Sequence, residues 1–337
     1  MERVLSIGIT SYKRVKELER CIKSVDTKFI DDVEIIVSED CSPLSKEIGE
    51  KVEELKKECP YKLEFMPNER NLGYDRNLGA IIKKSKGKYV CLMSDDDSFY
   101  EGFLDCLIPL LKKWKENYGV IYSPFVYTSN KVQDRYHGNS FIIKEGEESC
   151  SKYLYDSILF SGLIFNREYV ACYDSSEFLN MNYFQVYLFL KMLYQYKGYY
   201  ISHPSVWCIS DGENAYGISD SSGGNEILAD RNSVLSNLEF HKTLIKVIRK
   251  FDEEEGTLVF KSFEKQYSLH AYTGLSIARR CGKKYFDNYW RVLKSLDMHL
   301  YPVVKLFYFL LKYLGSNVSD KLTIIARKIL KNDKRLK

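Results

Sequence analysis

Through about residue 127, the sequence alternates short apolar runs with segments whose apolar residues recur at every third or fourth position. Short runs rich in Val, Ile and Tyr are typical of buried strands, and the wider spacing is typical of helices with one apolar face. This alternation predicts an α/β fold in which helices layer a sheet. The predicted strands are Leu5–Thr10, Val33–Ser38, Lys62–Met66, Tyr89–Met93 and Val120–Tyr127.

The second half of the chain follows this pattern less regularly. Residues 128–160 are polar, and we interpret them as a connecting excursion rather than a second core. Residues 211–225 are rich in Gly, Ser and Asn, which suits either a mobile lid loop or a plain linker, and from about residue 228 the pattern is helical. Further predicted elements are a strand at Ser161–Phe165, a helix at Tyr183–Tyr194 and a final strand pair at Gly198–Ser202 and Val206–Ile209.

The composition is that of a globular protein in a reducing compartment. With 337 residues, of which 45% are hydrophobic, the chain is long enough to bury a large core. Its nine cysteines include no C-x-x-C pair and its five histidines are scattered, so neither a disulfide framework nor a zinc site is indicated. Because a short strand-like run follows Met1 almost at once, no secretory signal is visible, and we expect a cytoplasmic protein.

Charge is distributed unevenly along the chain. Residues 279–337 contain fifteen Lys and Arg against four Asp, a net charge of +11, although the whole chain carries only +4. Within this basic end, Pro302–Leu314 is strongly apolar but shorter than the roughly 20 residues that span a bilayer. The pattern predicts either a basic helix that lies on an anionic membrane surface or one that packs on the rest of the protein. No nucleic-acid-binding motif accompanies it, so nucleic acid is not an expected partner.

Three consecutive carboxylates, Asp95, Asp96 and Asp97, come directly after the predicted strand Tyr89–Met93 and Ser94. In an open α/β sheet this is the C-terminal edge, where ligands bind. Adjacent carboxylates repel each other, and folded proteins commonly place a hard divalent cation between them and an anionic ligand. The cluster therefore predicts a metal site. The alternative is a solvated turn in which one Asp caps the next helix.

Other polar residues follow the first two predicted strands, with Thr10 and Tyr12 after the first and Asp40 after the second. Since the carboxyl ends of parallel strands meet at one edge, these side chains are expected beside the Asp cluster. A hydroxyl, an aromatic ring and a carboxylate there suit a nucleoside. Before the next predicted helix, Arg76 and Asn77 add donors near a helix N-terminus, which favours anions such as phosphate.

These segments together resemble the family 2 glycosyltransferases of GT-A fold. The resemblance covers about residues 1–125 and rests on Val4–Arg14, Val33–Asp40, Asn71–Gly79 and Ser94–Asp97. The first segment departs from the family's Thr-Tyr-Asn-Arg only at Ser11 and Lys13, and the second reads Glu39-Asp40-Cys41-Ser42 where the family usually has Asp-Asp-Gly-Ser. The implied fold is an α/β/α sandwich over residues 1–227 with a helical C-terminal extension over residues 228–337.

The resemblance also implies a division of labour within the site. Residues 1–127 would bind the nucleotide sugar and residues 160–210 the acceptor. By resemblance, Thr10, Tyr12 and Asp40 hold the nucleotide base, Arg76 and Asn77 the base or phosphates, Asp95 and Asp96 the ribose and metal, and Asp97 is the main ligand of Mn²⁺ or Mg²⁺.

Such an enzyme moves a sugar from a nucleoside diphosphate sugar, most often a UDP-sugar, to an acceptor hydroxyl with inversion of configuration. Similarity to bacterial capsule and O-antigen transferases implies a saccharide acceptor that is lipid-linked. It also implies contact with the inner face of the cell membrane through the basic C-terminal helices.

The catalytic base is not in the family's usual place. The family carries Glu-Asp at the start of a helix in the second half of the sheet, where residues 180–185 of this chain contain neither acid. An amide does not titrate, so Gln185 is predicted to orient acceptor hydroxyls. Asp211 is a further predicted acceptor-binding residue. The nearest carboxylates, Asp174 and Glu177, are the predicted bases.

Two other classes of function stay open at this point. The missing acid pair favours a non-catalytic protein, either a nucleotide-sugar-binding protein or a scaffold. A sugar nucleotidyltransferase shares the layering and the carboxylates but calls for a Gly-rich loop after the first strand, and that loop is absent. A dinucleotide-dependent oxidoreductase is excluded because the first strand is not followed by G-x-G-x-x-G.

Overall fold

The computed structural model describes residues 3–127, 132–178, 181–209 and 234–332, with the backbone alone for helix residues 234–240, 265–267, 269–270 and 324–332. The strands are β1 (Leu5–Ser11), β2 (Val33–Glu39), β3 (Lys62–Pro67), β4 (Tyr89–Ser94), β5 (Ser98–Phe99), β6 (Val120–Tyr122), β7 (Phe125–Tyr127), β8 (Val132–Gln133), β9 (Phe141–Ile143), β10 (Leu163–Asn166), β11 (Gly198–Tyr200) and β12 (Val206–Cys208).

The α-helices are α1 (Val15–Lys23), α2 (Ser45–Leu55), α3 (Tyr74–Lys84), α4 (Phe103–Lys113), α5 (Glu147–Tyr153), α6 (Arg167–Val170), α7 (Phe184–Gln195), α8 (Val234–Glu255), α9 (Val259–Cys281), α10 (Lys283–Ser295) and α11 (Pro302–Asn332). Short 3₁₀ helices lie at Ile30–Asp32, Leu154–Ser157, Ser175–Phe178 and Met298–Leu300.

Eight strands form the main sheet in the order β3-β2-β1-β4-β10-β6-β11-β9. The strands β3, β2, β1 and β4 are parallel, β10 runs against both its neighbours, and β6 is parallel to β11. The carboxyl ends of β1, β2 and β4 therefore share one edge, which we call the carboxyl edge. Because β10 is antiparallel to β4, it begins at that edge, and α7, which leads into β11, also begins there.

Side chains of the central strands alternate between two cores, one on each face of the sheet. Ile7 and Ile9 of β1 pack with α1, α2 and α4, whereas Leu92 of β4 packs with α3 and α7. Between the two isoleucines, Gly8 faces α3, and a Cβ atom there would lie 2.1 Å from Cγ2 of Ile81. The close approach of α3 to the central strand requires a glycine at this position.

The C-terminal helices share the second of these cores. Ile248 and Phe251 of α8 are buried in the same cluster as the apolar residues of α7. Beside them, Lys191 of α7 forms ion pairs with Glu254 (2.7 Å) and Glu255 (2.5 Å) of α8. The predicted helical extension is thus present and packs against α7, in the helical layer that covers one face of the sheet.

Helix α11 is kinked within its length. The kink lies at Gly315, which has φ of 72° and no helical conformation. Before the kink, the carbonyl of Leu311 accepts from Arg279 of α9, and after it Asp320 accepts from Tyr272 and Ser276 of α9. Both parts of α11 therefore pack on α9.

The structure corrects two predictions about the second half of the chain. Residues 128–160 are not an excursion outside the core, because their described part contributes β8, β9 and α5 and buries Cys150 and Phe160. The strands β11 and β12 are not a pair, since β11 joins β6 and β9 while β12 joins β5 and β7 in a second, four-stranded sheet. The reason is the break of the predicted strand Val120–Tyr127 at Pro124, which has no N–H for the ladder and sends β7 into the second sheet.

Two predicted features fall where the structure gives no description. The domain boundary near residue 227 and the loop at residues 211–225 lie within residues 210–233, outside the described residues. Both stay predictions. All nine cysteines are free thiols, as the spacing indicates, and none of the helices in the described ranges is long and apolar enough to cross a membrane.

Candidate active site

The carboxyl edge brings three predicted segments together. Thr10 of β1 lies in register with Ser38 of β2 on one side and Ser94 of β4 on the other. The residues after these strands are therefore neighbours, and the backbone N–H of Tyr12 donates to Asp95 Oδ2 at 3.1 Å. The parallel register accounts for this convergence of residues that are more than 80 positions apart in sequence.

Arg14, at the start of α1, neutralises part of the acidic cluster. Its Nη1 lies 2.8 Å from Asp95 Oδ1 and 3.1 Å from Asp96 Oδ2. Arg20, six residues further along the chain within α1, donates to the backbone carbonyl of Asp96 at 2.9 Å. Burial raises the pKa of Asp95 to about 7, against the lowering effect of the Arg14 charge.

Asp97 lies on the other side of the cluster, away from Arg14. Its Oδ2 accepts from Ser161 Oγ at 2.5 Å and its Oδ1 accepts from the N–H of Ile209 at 3.2 Å. Burial and then the neighbouring Asp96 charge raise the pKa of Asp97 to about 6, although these hydrogen bonds lower it. Ser161 also accepts from the N–H of Ser94, so β10 and β4 hold Asp97 between them.

These carboxylates fit a divalent cation by their chemistry. Asp97 accepts hydrogen bonds from Ser161, Ile209 and the Cys208 side chain, and a carboxylate offers about four lone-pair sites, so acceptor capacity remains. The repulsion that Asp96 exerts on Asp97 is the kind that a hard cation with oxygen ligands relieves. Side chains in the described ranges do not already form a cluster of three or more His, Cys, Asp or Glu arranged around a metal position. The metal-ligand role of Asp97 stays a prediction.

Asp40 organises the loop before α3. Its carboxylate accepts from the N–H groups of Leu72 (2.7 Å) and Gly73 (2.9 Å) and from Asn68 Nδ2 (3.0 Å). Burial raises the pKa of Asp40, while these donors lower it. The loop thereby closes against the end of β2, which brings the start of α3 to the carboxyl edge.

The two predicted donors of α3 have different surroundings. Asn77 is buried, where it accepts from Ser38 Oγ at 2.5 Å and donates to the Ser38 carbonyl at 3.2 Å, so it ties α3 to β2. Arg76 has a buried Nε that makes no hydrogen bond with the described residues. Of the two, only Arg76 has a side-chain donor that the described residues leave unpaired, its Nε, to offer an anionic ligand, whereas Asn77 holds α3 against the end of β2.

Asp75 links α3 to the N-terminus of α7. Its carboxylate accepts from the N–H groups of Met181 (3.1 Å), Asn182 (2.7 Å) and Phe184 (2.9 Å). It is 2% exposed, and burial raises its pKa to about 7 against the lowering effect of these donors and of the N–H of Tyr183. A buried carboxylate from another helix thus caps the first turn of α7.

Gln185, in that first turn, is held from two sides. Its Oε1 accepts from Tyr74 Oη at 3.0 Å and its Nε2 donates to the carbonyl of Ile158 at 3.4 Å. The Tyr74 ring in turn packs edge-on against Phe160. Gln185 therefore lies at the carboxyl edge in a fixed orientation.

The two predicted bases lie on either side of Ser175 in the sequence, and Ser175 packs on Gly79 of α3. Asp174 is exposed and accepts from the N–H and hydroxyl of Ser176, which lowers its pKa. The positive charges of Lys83 and Arg76, both on α3, also lower the pKa of Asp174. Glu177 is also exposed and pairs with Lys250 of α8 at 2.8 Å. The role of Asp174 or Glu177 as general base stays a prediction, and Asp211 lies outside the described residues.

Three contributors to the site were not predicted as such. Arg14 belongs to the first motif, and its position beside a strand end that faces an Asp cluster is the signal for its role. Ser161 and Asp75 carry no such signal, because their partners are more than 60 and 100 positions away in sequence. Only the packing of β10 and α7 reveals them.

Comparison with known proteins identifies the family. The family model described as glycosyl transferase family 2 matches residues 6–174, half of the chain, including every strand end described above. The chain belongs to glycosyl transferase family 2. The predicted family is confirmed, and with it the prediction of a glycosyltransferase.

A curated relative extends the similarity beyond the matched half of this family 2 glycosyltransferase. The relative is a GalNAc(5)-diNAcBac-PP-undecaprenol beta-1,3-glucosyltransferase of Campylobacter jejuni, 23% identical over 97% of this chain and 99% of its own length. The alignment thus includes the C-terminal helices.

Two solved structures share the fold. TarS of S. aureus (residues 1–349, in complex with UDP-GlcNAc) aligns with a TM-score of 0.52 and 14% identity over 87% of this chain and 91% of that one. The mannosyltransferase PcManGT of Pyrobaculum calidifontis, in complex with GDP-Man and Mn²⁺, aligns with a TM-score of 0.54 and 10% identity over 96% and 88%. These alignments confirm the predicted GT-A type α/β fold with its helical C-terminal region.

Proposed function

We propose that this chain transfers a sugar from a nucleoside diphosphate sugar, a UDP-sugar, to a hydroxyl of a lipid-linked saccharide during surface polysaccharide synthesis. The observation that carries the proposal is the buried carboxylate cluster at the carboxyl edge, in a chain that aligns along almost its whole length with a glucosyltransferase of an undecaprenol-linked substrate. Transfer by direct displacement inverts the configuration at the anomeric carbon.

Each group at the carboxyl edge has a proposed task on the donor side. Asp96 and Asp97 hold a Mn²⁺ or Mg²⁺ ion, which when bound neutralises charge on the leaving diphosphate. Arg14 and the N–H of Tyr12 fix Asp95 for contact with the ribose. The Tyr12 ring covers the nucleotide base, with Thr10 and Asp40 beside it. Arg76 donates to the base or phosphates at the start of α3, where the helix N-terminus also favours anions.

The acceptor side is proposed to use the start of α7. Gln185 orients an acceptor hydroxyl. Its side chain is held by Tyr74, and the first turn of α7, to which it belongs, is capped by Asp75. Proton removal from that hydroxyl needs a carboxylate within hydrogen-bond reach. Asp174 and Glu177 are the candidates from the sequence, and Asp174→Asn and Glu177→Gln variants that keep full turnover would remove them.

The acceptor class also sets the place of action. The Campylobacter relative is named for an undecaprenol-linked substrate, and a substrate of that class lies in a membrane. We therefore propose that this chain works at the inner face of the cell membrane and contacts it through its C-terminal helices.

A donor panel tests the activity. UDP-, GDP- and dTDP-sugars are incubated separately with the purified full chain, Mn²⁺ and a polyprenyl-diphosphate-linked saccharide in detergent, and nucleoside diphosphate release and product are followed. We expect turnover with one UDP-sugar, loss of it on chelation, and loss in Asp97→Ala. The control is Asp105→Ala, which removes a carboxylate of α4 that accepts from Thr27 Oγ1 and lies outside the Asp95–Asp97 cluster.

The same panel separates the alternatives. Tight, metal-dependent donor binding by calorimetry without any product would favour a non-catalytic nucleotide-sugar-binding protein. Turnover that persists in Asp97→Ala and after chelation would refute the metal-dependent mechanism.

A further inference from the structure

The first half of α11 exposes large apolar side chains to solvent. Leu306 is 54% exposed, Phe309 50% and Tyr313 71%, and the rings of Phe309 and Tyr313 stack with their centroids 6.2 Å apart. We call these three residues the exposed face. Leu314, Val318 and Leu322, which lie next to or after Gly315, are also exposed.

The exposed face is a coherent surface of the helix. At about 100° per residue, its three side chains fall within a sector of about 60°. Val304 and Leu311, both fully buried in the core cluster, lie on the opposite side of the helix. One side of this helix is therefore satisfied by packing on α9, and the other presents an independent apolar strip.

Basic side chains border the exposed face. Lys305 and Lys312 are both exposed and project from the same flank of the helix, about a quarter turn from the strip. The Lys312 ammonium lies over the rings of Tyr308 and Tyr313, which places its charge beside the strip. Residues 283–323 carry seven Lys and Arg against three Asp, so the surroundings are also positive.

This combination matches the surface of an anionic bilayer. Aromatic and aliphatic side chains enter the boundary between headgroups and acyl chains, while lysines beside them reach headgroup phosphates. A second copy of the chain is a poorer fit, because facing strips would bring two lysine rows and two basic regions together. As no helix in the described ranges is built to cross a membrane, the contact is one of a helix lying on the surface.

We propose that the exposed face docks this protein on anionic phospholipid, with Leu306, Phe309 and Tyr313 inserted at the boundary and Lys305 and Lys312 on headgroup phosphates. The geometry of the face stands on its own, while its benefit rests on the proposed function, since it would keep the site at the membrane that holds a lipid-linked acceptor.

Vesicle flotation with the full chain tests the proposal. The probes are vesicles of phosphatidylcholine alone and of phosphatidylcholine with phosphatidylglycerol. We expect binding to the anionic vesicles only, at least tenfold weaker in the double variant Leu306→Gln with Phe309→Gln. The matched control is Val132→Gln with Ile142→Gln, two equally exposed apolar residues on β8 and β9, which should bind as the unmodified chain does.

A second pair of variants tests the charges. Lys305→Gln with Lys312→Gln should weaken binding and reduce its salt dependence. The control, Lys46→Gln with Lys57→Gln, removes two exposed lysines, one in α2 and one just after it, and should leave binding and its salt dependence unchanged.

The outcomes separate this proposal from the proposed activity. Absence of vesicle binding, or equal binding by the exposed-face and control doubles, overturns it. Light scattering that shows a dimer dispersed by the exposed-face double would assign the face to a second copy, which also overturns it. Turnover of a detergent-solubilised acceptor is measured in parallel. A protein that turns over the acceptor fully but does not bind vesicles would refute the membrane-docking proposal and leave the proposed activity intact.

Discussion

Replacing Asp75 by alanine should destabilise the protein through a helix that does not contain it. The substitution leaves three N–H groups at the start of α7, those of Met181, Asn182 and Phe184, without their carboxylate acceptor in a buried place. Loss of a helix cap costs about 1–2 kcal/mol, and each buried donor left unpaired adds about 1–3 kcal/mol. Because the loop can relax and admit water, we expect a total of about 3–5 kcal/mol rather than the full sum.

Urea unfolding followed by circular dichroism measures this loss as the change in free energy of unfolding. Asp105→Ala is the matched control, because that carboxylate also accepts from a hydroxyl and a backbone N–H, those of Thr27 and Lys28, but on an accessible surface. The control should cost about 1 kcal/mol or less. If the two substitutions cost the same, the capping of α7 by Asp75 contributes nothing beyond an ordinary surface contact, and the reasoning fails.

Three further substitutions probe other contacts. Arg14→Met should lower the free energy of unfolding by about 3–5 kcal/mol in urea titrations without added metal, since it leaves buried Asp95 without its counter-charge. Burial raises the pKa of Glu254, but hydrogen bonds from Lys191, Lys250 and Tyr187 bring it down to about 2. The ionised Glu254 therefore stabilises the fold at pH values above its unfolded pKa, and this stabilisation is lost as the pH falls towards the folded pKa. Between pH 5 and about 2, the free energy of unfolding should accordingly depend less on pH in Glu254→Gln than in the unmodified chain. Gly8→Ala should cost about 1–3 kcal/mol by the same assay, because its Cβ meets Ile81 in the core.

The first half of the fold was predictable because its signals are local. Buried parallel strands are continuous apolar runs that end at polar residues, and β1, β2, β3 and β4 match their predicted bounds to within one residue. Once those strands are parallel, the meeting of Thr10, Asp40 and Asp95 follows from the register alone. The metal and donor roles of these residues stay predictions.

The second half depends on contacts between distant parts of the chain. Pro124 is a local signal for a break in the predicted strand, but nothing near it indicates that the two parts enter different sheets. Apart from each other, the partners of β7 and β12 are β8 and β5, and β5 and β12 lie more than 100 positions apart in sequence. The choice of Asp174 and Glu177 as bases used nearness in sequence to the missing acid pair. That choice stays a prediction, because Asp174 is exposed and senses the charges of both Lys83 and Arg76 of α3.

The balance of charge at the carboxyl edge relates the site to its ligands. Asp95, Asp96 and Asp97 with Arg14 leave an excess of two negative charges in a largely buried place when all are ionised. A diphosphate brought there alone meets repulsion, whereas a divalent cation removes the excess and then attracts the phosphates. Coupling of this kind is reciprocal, so the donor should raise the affinity for metal by the same factor as metal raises the affinity for donor. If metal and donor bind here as proposed, Arg14 should limit that coupling, because it already cancels one of the three carboxylate charges.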